Sequence, residues 1–369
     1  MNNNKNFPIK KVLEIFAAHS SKNELEELEK EGIIEKAKRF RAGAIVKKGW
    51  GLDSLPKIGE QIGFFPKFSQ PISMAVFTTK GGVLKSTLAL NIARVAALHN
   101  VKTCVVGLDI QGDVTTALGF ENDLEDTDDL PLIIDRLNNT KGLADLFNGQ
   151  TRIDDIIQPT DLSKLFLIPE TPELVAMNDS LGNIHRREFW IKEKVIDKLK
   201  KDFDLVIMDC SPNWNQLTTN ALVGCDVLIS PLECKINNFR NFKVFRHFLR
   251  EFQEEMKLNF QTIFVPTRFS INRKLSLEIR SWYENNVEGC THCGLRESVL
   301  GEEATALYSS VVEHAPGKVP AIEMQDLLRE VHRIVQEVLN ERTENLYYSM
   351  NGVFNQSEKN NQAFVREFR

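Results

Sequence analysis

The sequence predicts an α/β fold: a doubly wound, mostly parallel sheet with helices on both faces, carrying a phosphate-binding loop and preceded by a small helical domain. Three observations predict it. A buried-strand pattern at residues 74–79 runs into the glycine loop Lys80-Gly-Gly-Val-Leu-Lys-Ser-Thr87, then into a helix with Leu88, Ile92, Val95, Ala96 and Leu98 at helical spacing. Two further strand patterns, 102–108 and 203–208, the second with four consecutive apolar residues at its end, each run into a carboxylate, Asp109 and Asp209. Continuous apolar strands alternating with helices describe parallel strands buried on both faces, and such a sheet binds ligands at the carboxyl ends of its strands.

Composition sets the outer limits. The 369 residues are enough for one large domain and a smaller one, and 42% hydrophobic content with a mean hydropathy of −0.25 is that of a soluble globular chain. A net charge of −5 and a pI near 5.9 leave nucleic-acid binding to local basic patches. No apolar run reaches the length of a membrane span, and Met1-Asn-Asn-Asn-Lys5 lacks the apolar core of a secretory signal. The expected location is the cytoplasm, without membrane attachment. Six cysteines are sparse for this length and are expected as thiols.

Residues 1–70 are expected as a separate region. Ile9, Val12, Leu13, Ile15 and Phe16 fit a helical stripe that stops near His19, and Ser21-Lys-Asn-Glu24 reads as a capping box opening a second helix that Gly32 closes. Two short helices and a tight turn suit a helix-turn-helix. The basic segment that follows (Lys36, Lys38, Arg39, Arg41, Lys47, Lys48), with Trp50 behind it, suits a wing or strand pair resting on DNA phosphates. This order of elements is similar to the MerR-like winged-helix module, which implies DNA binding. A helical extension docked on the rest of the chain is the alternative.

The loop at 80–87 turns successive backbone N–H groups inward, where they and the helix N-terminus behind them hold phosphate oxygens. Lys85 reaches the β- and γ-phosphates, and the Ser86 hydroxyl takes a place on Mg²⁺. Leu84 stands where the common G-x-x-x-x-G-K-[ST] motif has its second glycine. What remains, K-G-G-x-x-K-[ST], resembles the deviant Walker A motif of the ParA and MinD superfamily, with Lys80 as the additional lysine. The resemblance implies ATP and Mg²⁺ held by Gly81, Gly82, Val83, Leu84, Lys85, Ser86 and Thr87. It also implies an ATP-sandwich homodimer in which Lys80 contacts the nucleotide of the other subunit.

Asp109-Ile-Gln-Gly-Asp113 and Thr115-Thr-Ala-Leu-Gly119 resemble the ParA stretch D-x-D-P-Q-G-N followed by T-T-x-L-G. Asp109 falls on the second aspartate, which in the family orients the attacking water. Gly107 stands in place of the first, Ile110 in place of proline and Asp113 in place of asparagine. Residues 121–135 read as an acidic surface loop. Asp209, with Cys210-Ser-Pro212 behind it, matches a Walker B carboxylate, so Ser86 and Asp209 are the expected metal ligands, and Lys80, Lys85 and Asp109 the catalytic residues.

Phe239, Phe242, Phe245, Phe248 and Leu249 form an apolar stripe expected in the core; Arg240, Lys243, Arg246 and Arg250 run beside it. That basic row reads first as a solvated face, with DNA phosphate contact as the alternative. Residues 262–267 are the next strand, and by resemblance Pro266 and Thr267 lie where the family contacts adenine. Arg268, Arg273, Lys274 and Arg280 follow as a second candidate phosphate patch. Cys290-Thr-His-Cys293 offers half of a tetrahedral metal or iron–sulfur site, and no second pair follows. A helix from about 322 to 339 precedes a polar tail, 341–369, that lacks the apolar face of a membrane-bound helix.

The resemblance covers residues 74 to about 340, within a domain taken as 71–340. It implies a ParA-type DNA partition ATPase, nucleoid-associated, that dimerises on ATP and binds DNA without sequence preference. Hydrolysis, slow on its own and stimulated by a ParB-type centromere-binding protein, releases it. The alternatives are an Mrp-type iron–sulfur carrier ATPase, whose G-P-S after the second strand this chain lacks, and an ADP-linked transcriptional repressor acting through residues 1–70.

Overall fold

The computed structural model describes residues 5–17, 22–42, 44–120 and 140–367, with side chains through residue 344. The N-terminal region begins with strand β1 (Asn6–Pro8), helix α1 (Ile9–Ile15) and helix α2 (Lys22–Lys30). Strands β2 (Lys38–Ala42) and β3 (Ile45–Gly51) and helix α3 (Leu55–Ile62) follow. The strands pair antiparallel in the order β1-β3-β2. The small domain expected to be helical is therefore mixed: its two helices are followed by the basic segment, expected as a wing or strand pair, which pairs as β2 and β3. Gly32 closes α2 with φ +73°, a conformation that favours glycine. His19, the Ser21 cap and the acidic segment 121–135 lie outside the described residues.

The main sheet contains, among the described residues, eight strands in the order β11-β10-β9-β4-β8-β5-β7-β6. These are β4 (Ile72–Val76), β5 (Thr103–Leu108), β6 (Gln158–Pro159), β7 (Leu165–Ile168), β8 (Leu205–Cys210), β9 (Val227–Glu233), β10 (Gln261–Phe269) and β11 (Leu295–Arg296). Every pairing is parallel except β6 with β7. Strand alternation separates two hydrophobic clusters, one on each face. Ile72, Met74, Val105, Leu205 and Ile207 join the cluster of helix α4 (Lys85–Leu98), whereas Ala75, Cys104, Val106, Val206 and Met208 join the other. Burial on both faces explains why these strands read as unbroken apolar runs.

The α4 cluster also takes in Val12, Ile15 and Phe16 of the N-terminal region and Leu55 and Ile58 of α3, so that region shares a core with the sheet. A Cβ at Gly59 would run into the backbone of Leu98, which places α3 against the end of α4 nearly backbone to backbone. Gln325 fastens the end of α1, its Nε2 donating to the carbonyls of Glu14 (2.8 Å) and Ile15 (2.9 Å). Gln325 sits on a helix that runs Val319–Glu367, well past the expected end near 339 and through the polar tail.

In the helix Ile236–Met256, Phe242, Phe245 and Leu249 are buried, but Phe248 is 57% exposed and leaves the expected stripe. Three residues on from Phe245, it has rotated past the edge of the face that meets the sheet.

Candidate nucleotide-binding site

The register places the key residues in one row. Val76, the last residue of β4, pairs with Asp209 of β8, and Asp209 pairs on its other side with Gly107 of β5. The loop 77–84 leaves β4 beside Asp209, and Lys85 opens α4. Within the loop, Gly82 and Leu84 adopt left-handed backbone, φ +70° and +74°. For Leu84 that conformation costs about 1–2 kcal/mol relative to glycine, whose place it takes. A Cβ built at Gly81 or Gly82 would meet nothing within 4 Å, so open space lies before the loop.

Lys85 is buried, with Nζ donating to the Lys80 carbonyl at 3.3 Å. Burial pushes its pKa down, against the pull of Asp209 and Asp109. Asp109 follows β5 directly, is 6% exposed, and accepts from the Gln111 backbone N–H at 3.2 Å. Asp209 is fully buried. Burial raises its carboxyl to about 7; Ser86 and Lys85 draw it back, yet neither carboxylate oxygen closes a hydrogen bond of ordinary geometry. A buried carboxylate with two unpartnered oxygens, next to a hydroxyl, is a donor set suited to a hydrated divalent cation. Ser86 and Asp209 therefore fit Mg²⁺. Lys80 is exposed at the mouth of the loop.

Strand β10 closes the other side. The Thr267 hydroxyl donates to the Val83 carbonyl at 3.3 Å, and Arg268 donates from Nη1 to the Gly82 carbonyl at 2.7 Å. Pro266 is buried in β10 against Gly294 and stands back from the adjoining cleft of about 330 Å³, which Leu84, Thr87, Arg268, Glu297, Val299 and Pro320 help to line. The sequence reading missed Glu170, immediately beyond β7: it is 8% exposed, and its carboxylate accepts from both the backbone N–H (2.9 Å) and the hydroxyl of Thr115. A lone glutamate after an apolar strand carries no motif; the signal was indirect, in Gly107 standing where the resembled pattern has an aspartate.

The basic residues divide. Arg268 is engaged by Gly82 and also lies 3.6 Å from both Glu233 and Glu297; Arg280 pairs with Glu284 at 2.6 Å and covers the Phe269 ring. Both guanidinium groups of this candidate phosphate patch are thus partly exposed and have acidic partners. Arg240, Lys243, Arg250, Arg273 and Lys274 are exposed, and Arg246 reaches toward Glu288. On the N-terminal hairpin, Arg39 pairs with Lys48 and Arg41 with Val46, so these side chains share an exposed face. Cys290 and Cys293 have thiol pKa values pushed up to about 12, chiefly by burial, and Glu330 accepts from the backbone N–H of Cys293 at 2.8 Å. Among the described residues no three His, Cys, Asp or Glu side chains are grouped to hold a metal directly.

The chromosome partitioning protein ParA of Myxococcus xanthus is 26% identical over 219 residues, 58% of this chain and 72% of that protein. The chromosome-partitioning ATPase Soj of Treponema pallidum is 30% identical over 156 residues, 42% of this chain and 54% of that protein. The crystal structure of a Borrelia burgdorferi protein described as a plasmid partition protein, bound to AMPPNP, superposes with a TM-score of 0.58 at 19% identity. That superposition covers 72% of this chain and 99% of the other and shows the shared fold. A family model described as an AAA domain matches residues 72–262, the stretch from β4 into β10 that holds the loop and both strand-end aspartates. The chain belongs to this AAA-domain family, as a ParA-type P-loop ATPase.

Proposed function

We propose that this protein is a DNA-partition ATPase that binds ATP with Mg²⁺, pairs with a second copy of itself, and holds DNA until hydrolysis releases it. The observation that carries the reading is the convergence of Lys85, Asp109 and Asp209 at the carboxyl ends of adjacent strands. The backbone of 81–87 cradles the phosphates, Lys85 neutralises them, and Ser86 and Asp209 hold the cation. When bound there, Mg²⁺ would supply positive charge against the phosphates. Asp109, held by the Gln111 N–H, orients the attacking water, and exposed Lys80 is placed to reach a nucleotide on the other subunit. A ParB-type partner is the proposed stimulator.

DNA contact is assigned to exposed arginines and lysines: Arg240, Lys243 and Arg250 on the ATPase region, and Arg39, Arg41 and Lys47 on the hairpin. Phosphate contacts of this kind bind without sequence preference and weaken steeply with salt. The test is fluorescence anisotropy of a random-sequence duplex with ATP, ADP or no nucleotide across a salt series. Binding that needs ATP and falls with salt supports the reading; binding indifferent to ATP overturns it. In the same assay Arg39→Glu with Arg41→Glu separates the hairpin's share from that of the ATPase surface.

A further inference from the structure

Gly107 has an ordinary negative-φ backbone that any residue adopts, so conformation does not explain the glycine. Space does. A Cβ there would run into Cγ and Cδ of Glu170 and lie 2.7 Å from its Oε1. The Glu170 carboxylate occupies the volume that a β5 side chain would fill, on the sheet face shared with Asp209, the register partner of Gly107. Two independent facts point it at a ligand. Glu170 is more than nine-tenths buried with Oε1 unpartnered, while its Oε2 is taken up by Thr115. Asp209, fully buried, has no hydrogen bond of ordinary geometry on either oxygen, with the Ser86 hydroxyl beside it.

Glu170 and Asp209, with Asp109 nearby, carry like charge in a buried space: burial first, then the charges of Asp209 and Asp109, push the Glu170 carboxyl up to about 8 against the pull of its Thr115 hydrogen bonds. Positive charge brought to the site relieves that repulsion. Since no three such side chains are grouped among the described residues to ligate one ion directly, the contact runs through the water that Mg²⁺ retains.

We propose that Glu170 is the third carboxylate of the nucleotide site, supplied from the end of β7 in place of a side chain on β5, and that it positions the hydration shell of the divalent cation alongside Asp209. The inference rests on the Mg²⁺–ATP reading above. The rival role is mechanical: Glu170 as a clasp that ties Thr115, in the short helix Asp113–Ala117, to the end of β7.

The experiment titrates Mg²⁺ against binding of a fluorescent N-methylanthraniloyl-ATP to the full chain, with thermal unfolding of the same samples. Glu170→Gln keeps an acceptor for Thr115 and removes the charge. It is expected to raise the Mg²⁺ concentration for half-maximal binding about tenfold, as loss of an outer-shell partner does, with unfolding temperature unchanged. Gly107→Asp combined with Glu170→Ala moves the carboxylate onto β5 and is expected to restore the Mg²⁺ response. If Glu170→Gln matches the parent protein while Glu170→Ala only lowers the unfolding temperature, Glu170 is a clasp and the proposal falls. If the parent protein shows no Mg²⁺-dependent binding, the nucleotide reading itself fails, and this inference with it.

Discussion

Arg268 donates from Nη1 to the carbonyl of Gly82 at 2.7 Å, latching the end of β10 onto the phosphate loop. The same guanidinium lies 3.6 Å from Glu233 and Glu297, so three strand ends and the loop meet on one side chain. Arg268→Ala frees the loop carbonyl to water while leaving the core untouched. Nucleotide affinity is expected to fall several-fold, with stability lowered by no more than about 1 kcal/mol, because the group is partly exposed. Titration calorimetry and urea unfolding measure the two effects separately.

Leu84 caps α4 in a left-handed conformation. Leu84→Gly removes strain of about 1–2 kcal/mol but gives back about 0.4–1 kcal/mol in unfolded-chain entropy. The variant is expected to equal or exceed the parent in stability by about 0.5–1 kcal/mol and to bind nucleotide at least as well. A clear loss of stability would mean that the Leu84 side chain, on the wall of the neighbouring cleft, contributes more than its backbone costs.

The Asp209 carboxyl titrates near 7 in the folded protein against about 3.8 unfolded, with burial the main cause. For a raised pKa the stabilising contribution is complete below the unfolded value and disappears as pH rises through the folded one. The nucleotide-free protein should therefore lose stability between about pH 4 and 7, by a few kcal/mol at most. Asp209→Asn is expected to flatten that loss and to abolish Mg²⁺-dependent nucleotide binding. Denaturant unfolding at pH 5 and pH 8, without nucleotide, checks the first part.

His99, at the end of α4, behaves in the opposite sense. Burial lowers its pKa from 6.5 to about 4, although Nδ1 engages the Val95 carbonyl at 2.7 Å, and Nε2 accepts from the Phe64 backbone N–H at 3.1 Å. Stability from a depressed pKa is present above the unfolded value and is lost as pH falls toward the folded one. Acidification from 6.5 to 4 should cost on the order of 3 kcal/mol and loosen α3, which packs here. Hydrogen exchange of residues 55–64 at pH 7 and pH 4.5 measures it.

How much of this was legible in the chain depends on range. The loop, its helix and the two aspartates are local: each strand is a continuous apolar run, and each carboxylate stands at its end, so residue order alone located Lys85, Asp109 and Asp209. The N-terminal hairpin was half legible, its basic residues visible and its pairing one of two options. Phe248 was misplaced, because a helical stripe says which residues share a face but not where the neighbouring element stops.

By itself the sequence determined the α/β fold, the parallel strands and the phosphate loop, since periodicity and strand-end chemistry are properties of neighbours along the chain. Only the tertiary structure decided that Arg268 is spent on Gly82, that the N-terminal helices share the core of the ATPase, and that Glu170 fills the space left by Gly107. Each is a contact between residues distant along the chain, 186 positions for Arg268 and Gly82. Strand order and register create such contacts, and no pattern within one segment encodes them.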